Sequence, residues 1–242
     1  DPEVVDFLMD YGDRFLGKTT VLCKDTPAFI ANRIGVYSIQ ALFHLVAEMG
    51  LTVTEVDKMT GPVLGRAKSA TFRTCDVVGL DTLVLVAGGL KQNCPEDEAN
   101  HLFDVPDYIT KMVDNGWIGS KAGQGFFKKD VVDGKKVIKE LNLETLEYQV
   151  PEKVNFPTLA AAKKEDDLKK RMKILAGGTD KAGEFYRKAF YGLFEYSSNR
   201  IPEITDDLYK IDDAIGAGFG WKLGPFDTWD ALGVTETVKA ME

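Results

Sequence analysis

Histidine and cysteine are scarce in this sequence: two of the first and three of the second in 242 residues. Cys23, Cys75 and Cys94 stand far apart and form no ligand pair with zinc spacing, so neither a metal finger nor a disulfide framework is expected. Free thiols of this kind fit a reducing compartment, and the expectation is a cytoplasmic chain. Long hydrophobic runs are missing too. None approaches the roughly 18 apolar residues a membrane span needs, and the stretch near 80–90 is interrupted by Asp81, Thr82, Gly88 and Gly89. No cationic, apolar leader opens the chain. Nor is there an excess of positive charge. The net charge is −8, which argues against a nucleic-acid partner, because phosphate contacts need clustered Lys and Arg. His44 sits in an apolar helical pattern and His101 in a polar loop, and both read as structural or solvated. No Ser/His/Asp arrangement can be assembled.

What is present is an ordinary globular composition, long enough for one large or two small domains. The chain opens on Asp1-Pro2-Glu3 and stops inside a helical pattern at Ala240-Met241-Glu242, so an excised fragment is expected. Asp25 or Thr26 is placed to cap a helix with Pro27 at its first position. The apolar pattern from Phe29 to Met49 predicts one helix over 27–49, about 35 Å long, ended by Gly50. Thr52-Val53-Thr54-Glu55 has capping-box spacing and starts a short helix that ends near Gly61. Residues 81–87 read as a further helix closed by Gly88-Gly89. Asp133-Gly134 between two β-rich runs predicts a tight hairpin, and 143–148 reads as one more extended segment. Residues 158–176 read as a solvated connector helix stopped by Gly177-Gly178.

An internal repeat organises the rest. Val56-Asp57-Lys58-Met59-Thr60-Gly61, ending in Asp76-Val77-Val78-Gly79, resembles Ile211-Asp212-Asp213-Ala214-Ile215-Gly216, ending in Asp230-Ala231-Leu232-Gly233. The offset is 155 at the front and 154 at the back. Gly216-Ala217-Gly218-Phe219-Gly220 is not a dinucleotide fingerprint, which needs a strand before the glycines; it reads as a helix stop and turn. Two polar residues stand out. Asn32 lies in the first part of the long helix, where asparagine is a mediocre helix former. Its amide is suited either to hydrogen-bond a substrate oxygen or merely to serve a neighbouring backbone group or water. Lys121, in Ile118-Gly119-Ser120-Lys121-Ala122-Gly123-Gln124-Gly125, is suited to meet a phosphate or carboxylate, although a solvated loop lysine is the commoner case.

At these residues a family resemblance becomes visible. Lys24-Asp25-Thr26-Pro27-Ala28-Phe29-Ile30-Ala31-Asn32-Arg33, with Gly17-Lys18 before it and Asp76-Val77-Val78-Gly79-Leu80-Asp81 after it, resembles the signature of L-3-hydroxyacyl-CoA dehydrogenases. Residues 119–127 are similar to that family's closing motif. The second repeat, with Ser198-Asn199-Arg200-Ile201-Pro202-Glu203 and Gly220-Trp221, is similar to the duplicated unit of its longer, multifunctional members. Ala28 departs from a usual Gly, Gly61-Pro62-Val63-Leu64-Gly65-Arg66 from a GxPxGP loop, and Phe127 from a common Tyr.

The resemblance implies a mainly α fold of two repeated helical units, of the 6-phosphogluconate dehydrogenase C-terminal-like type, with a small β-hairpin between them. It implies a first helical repeat over 1–127, a hairpin and connector over 128–180, and a second repeat over 181–242, packed together as a pseudo-dimer. It implies oxidation of 3-hydroxyacyl-CoA to 3-oxoacyl-CoA in fatty-acid β-oxidation, with NAD and the catalytic histidine carried by a preceding Rossmann domain. Asn32 would then hydrogen-bond near the reacting oxygen, Lys121 would reach the cofactor, and an enoyl-CoA hydratase domain is a possible further partner. In the second repeat the position of Asn32 is taken by Arg187, so the second copy is expected to keep the scaffold without the site. Two rivals stand beside this: a non-catalytic helical scaffold tethering neighbouring domains, and a 6-phosphogluconate or hydroxyisobutyrate type of dehydrogenase, whose helical-domain lysine signature is not found here.

Overall fold

A computed structural model describes residues 1–242. Helix α1 (Pro2–Asp10) is capped by the Asp1 carboxylate, which accepts from the Glu3 amide. Helix α2 (Ala31–Met49) is buried along most of its length and closes at Gly50 in the left-handed conformation. It starts later than the sequence predicts. Ala28 and Phe29 have φ of 65° and 53°, values no α-helix accepts, so neither Asp25 nor Thr26 caps it. The segment before the helix is instead tied across the molecule: the Lys24 amide donates to the Ile204 carbonyl at 3.1 Å and its Nζ to Asp206 at 2.6 Å. A tight turn, with the Phe29 amide donating to Thr26, is needed to reach that anchor.

Helix α3 (Val53–Thr60) carries the predicted capping box: the Glu55 amide donates to Thr52 and the Thr52 amide to Glu55. Helices α4 (Phe72–Val78) and α5 (Leu80–Asn93) follow. The second runs straight through Gly88-Gly89 rather than stopping there. Each glycine costs about 1 kcal/mol against alanine in a helix, but Leu80, Leu83, Ala87 and Leu90 bury one continuous stripe, and that burial prevails. After α6 (Asp107–Asp114), strands β1 (Phe127–Val132), β2 (Lys135–Leu141) and β3 (Tyr148–Gln149) form an antiparallel sheet in that order. Asp133 and Gly134 both take positive φ, as a type I′ hairpin turn demands. Only the last residue of the expected segment 143–148 pairs as strand.

The connector is not one solvated helix but two, α7 (Pro157–Ala162) and α8 (Leu168–Ala176), parted where Asp167 caps the second. Leu159, Ala162, Met172 and Leu175 are buried in the larger hydrophobic cluster, so this segment belongs to the core. Helices α9 (Lys181–Asn199), α10 (Leu208–Phe219), α11 (Pro225–Leu232) and α12 (Val234–Met241) complete the chain. Gly216 and Gly218 lie inside α10, and only Gly220 ends it. No helix is long and apolar enough to cross a membrane.

Helix α2 packs between α9 and α10. A Cβ on Gly35 would lie 2.2 Å from the Phe219 ring, so that glycine lets an α10 aromatic seat directly on the α2 backbone. Several contacts recur at a fixed distance along the chain. Asp57 accepts from the amides of Thr71, Phe72 and Arg73, at 2.7–3.1 Å, where α4 begins. Asp212, 155 residues later, accepts from Phe226 and Asp227 where α11 begins. Burial pushes the two carboxyls up, to about 7 and about 6, against the pull of those amides. Gly65 and Gly220 have φ of 68° and 66°, Gly79 and Gly233 of 102° and 99°. Across the α2–α9 contact the Tyr37 hydroxyl donates to the Gly192 carbonyl at 3.0 Å, a pair 155 residues apart. Arg33 pairs with Glu203 and Lys188 with Glu48; Lys188 and Glu203 stand 155 residues after Arg33 and Glu48 respectively.

Candidate functional site

The turn at Ala28-Phe29 sets the angle at which α2 starts, and with it the direction of Asn32. An L-residue in the left-handed region pays about 1–2 kcal/mol that glycine does not. Ala28→Gly should therefore stabilise the chain by about 0.5–1 kcal/mol in urea denaturation, with unchanged far-UV dichroism; no gain would mean the turn relaxes in solution. Asn32 lies in the first turn of α2, exposed, and its side chain makes no hydrogen bond within the protein. Of the two uses its sequence context allows, service to a neighbouring backbone group is absent. Its amide faces outward from a helix whose next residue is locked.

That residue, Arg33, is missed by the sequence reading. Its side chain is 0% exposed. Nε donates to the Tyr196 hydroxyl at 2.7 Å, Nη1 to Cys94 Sγ at 2.9 Å and Nη2 to Asp97 at 2.7 Å, and Glu203 lies 3.0 Å away. Arg200 joins the network through Asp97 at 3.1 Å, Glu203 at 2.8 Å and Glu98. Burial works against the Arg33 charge, yet Tyr196, Glu203 and Cys94 hold its pKa above the usual value. The signal was an arginine inside an apolar helical run; what hid the network is that its partners come from residues 94–97 and 196–203. Asn32 is thus presented from a base clamped on three sides.

Lys121 is positioned by a second buried acid. Asp76 accepts from the amides of Phe126 and Phe127 at 2.8 and 2.9 Å, and burial pushes its carboxyl up to about 6 against them. The loop can wrap this closely only because side chains are missing: a Cβ on Gly119 would lie 2.3 Å from the Asp76 carbonyl oxygen, and one on Gly125 2.1 Å from its carboxylate. Asp76, Gly119 and Gly125 are therefore one structural unit. Lys121 itself is half exposed and donates to Asp81 at 2.7 Å, which holds the Asp81 carboxyl below its usual range. No hydrogen bond or ion pair links the Asn32 turn to the Lys121 loop.

The other sequence candidates take structural places. His44 Nε2 lies 3.2 and 3.1 Å from the Leu102 and Asp104 carbonyls. Arg187 donates to the carbonyls of Ala176 and Gly178, at the end of α8. A dinucleotide site of the strand–glycine–helix kind has no place here, since the sheet is wholly antiparallel and the glycines at 216–220 belong to α10 and its end.

Residues 29–129 match the family described as 3-hydroxyacyl-CoA dehydrogenase, C-terminal domain. A Bacillus subtilis protein named "Probable 3-hydroxyacyl-CoA dehydrogenase" is 44% identical over 242 residues, all of this chain and 30% of its own length. A Mycobacterium tuberculosis protein named 3-hydroxybutyryl-CoA dehydrogenase is 30% identical over 118 residues, 49% of this chain and 40% of its own length. The chain thus spans well under half the length of these curated relatives. In fold it is similar to the crystal structure of 3-hydroxybutyryl-CoA dehydrogenase from Escherichia coli K12, with a TM-score of 0.62 at 16% identity, covering 99% of this chain and 60% of that one. With the motif residues, the mainly helical fold and these relatives in agreement, the chain belongs to the 3-hydroxyacyl-CoA dehydrogenase family, within its C-terminal helical part.

Proposed function

We propose that this chain is the substrate-facing and dimerisation-type region of an NAD-dependent L-3-hydroxyacyl-CoA dehydrogenase of fatty-acid β-oxidation, acting together with a Rossmann domain. The observation that carries the proposal is Asn32: an exposed amide with no partner of its own, set on a helix start that Arg33 and the Ala28-Phe29 turn immobilise. A donor held this rigidly suits a substrate oxygen on which charge develops. In this reading the Rossmann domain supplies hydride transfer to or from NAD and the base that takes the hydroxyl proton. Asn32 orients the oxygen of the 3-hydroxyacyl-CoA or 3-oxoacyl-CoA, and Lys121, shared with Asp81, reaches the cofactor side of the cleft. A hydratase domain is a further partner in this reading.

Two repeats, 1–127 and 181–242, are proposed to pack about a pseudo-two-fold axis, with α8 of the 128–180 connector contacting both. In a two-fold contact, residue i meets j while j's counterpart meets i's. The Arg33–Glu203 and Lys188–Glu48 pairs obey that rule at an offset of 155, as does the Tyr37–Gly192 contact of one position with its own counterpart. Covalent linkage gives such an interface a high effective concentration. The rival reading, a non-catalytic scaffold, draws on the pairing of Lys121 with Asp81. Turnover of acetoacetyl-CoA and NADH separates the two: the 242-residue chain alone should show none, and a longer chain that includes the Rossmann domain should show it. Turnover by the 242-residue chain alone would overturn the division of labour.

A further inference from the structure

A cavity of about 480 Å³ lies between α2 and α9, away from Asn32 and Lys121. That volume falls within the range of about 300–1,000 Å³ common for small-molecule sites. Its walls are mainly apolar, with Ala41, Leu45, Leu64, Phe185 and Phe190 among them. The two-fold counterpart of this space is filled. There Phe219, 155 residues after Leu64, presses on Gly35, 155 residues before Phe190. Here the smaller Leu64 faces a wall with Phe190, and space is left.

Apart from three tyrosines, four charged or titratable side chains line the cavity, and three are engaged. Lys188 pairs with Glu48 and Glu184, and His44 meets two carbonyls. The fourth, Arg66, makes no ion pair and no side-chain hydrogen bond. Its guanidinium carbon lies 3.4 Å from the centroid of the Trp221 ring, and Trp221 stands 155 residues after it, so the pair sits where two counterparts meet. Stacking covers a face of the guanidinium but leaves its N–H edges, the donors that bind a carboxylate as a fork. Arg66 is half-buried; a cation partly withdrawn from water among apolar walls without a counterion carries a cost, and that burial pushes its pKa down to about 9. An anion placed at those edges would relieve the cost, while an attached chain would occupy the apolar walls.

We propose that this cavity is a binding site for a medium-length aliphatic carboxylate, with Arg66 holding the carboxylate and the space beside Leu64 holding the chain. The proposal is independent of the dehydrogenase reading. It is tested by calorimetric titration of the 242-residue chain with octanoate and with octan-1-ol. Octanoate should bind saturably at one site, at least tenfold tighter than the alcohol. Arg66→Gln should remove that difference, and Leu64→Phe, which copies the filled counterpart, should abolish binding of both. Absence of saturable octanoate binding, equal affinity for acid and alcohol, or an octanoate affinity unaffected by Arg66→Gln would each overturn it. The acid–alcohol comparison on the unaltered chain decides even if a variant does not fold.

Discussion

Replacing Arg33 by alanine is expected to cost about 3 kcal/mol of folding free energy, the lower end of the range of about 3–5 kcal/mol for breaking a buried ion pair. The loss does not come mainly from the pair's own attraction, which desolvation largely offsets. It comes from what stays behind. Asp97 would keep its buried carboxylate with only Arg200, the Tyr196 hydroxyl and the Ala99 amide to meet it, Cys94 would lose its donor, and a cavity the size of a guanidinium would open beneath the start of α2. Arg200 is the reason for choosing the lower end. Urea denaturation followed by far-UV dichroism reads the effect directly. By contrast, cutting the exposed pair of Lys91 and Asp104 should change stability by about 1 kcal/mol or less. A loss below about 1 kcal/mol for Arg33→Ala would show that water enters and solvates Asp97, and that the network does not clamp α2.

Asn32→Ala should do the reverse. Its side chain is exposed and bonds nothing within the chain, and alanine is the better helix former, so the unfolding midpoint should hold or rise slightly. In a chain that includes the Rossmann domain, kcat for acetoacetyl-CoA reduction should nonetheless fall about a hundredfold, the effect of removing one donor aimed at developing charge, about 3 kcal/mol. The separation is informative because a structural role would move both numbers together. Unchanged kinetics would leave Asn32 as a surface residue of a scaffold, and the non-catalytic reading would move ahead.

The contrast between these neighbours shows what each level of information supplies. Local chemistry was legible in the residues: the Thr52–Glu55 capping box, the Asp133-Gly134 turn, and the halt of α2 at Gly50 each depend on groups within a few positions of one another. The repeat and the family motifs were legible as patterns, because they are strings. The errors share one cause. Pro27 looked like a helix start, but the tie from Lys24 to residues 204–206 bends the chain into a left-handed turn. Gly88-Gly89 looked like a stop, but a buried stripe on α5 runs past them. Residues 158–176 looked solvated, but Leu159, Ala162, Met172 and Leu175 face the core. In each case contacts made with residues distant in sequence outweighed local preferences worth about 1–2 kcal/mol per residue.

By itself the sequence determined the helical class, the hairpin, the family and the two residues worth testing. Only the tertiary structure decided that Asn32 is free while Arg33 is locked, that Gly119 and Gly125 let the loop close on Asp76, and that Arg66 is left without a counterion. The physical reason is that charge and packing are settled by partners. A side chain's own identity and spacing say what it is able to bond, and the fold alone says which of those bonds are already taken.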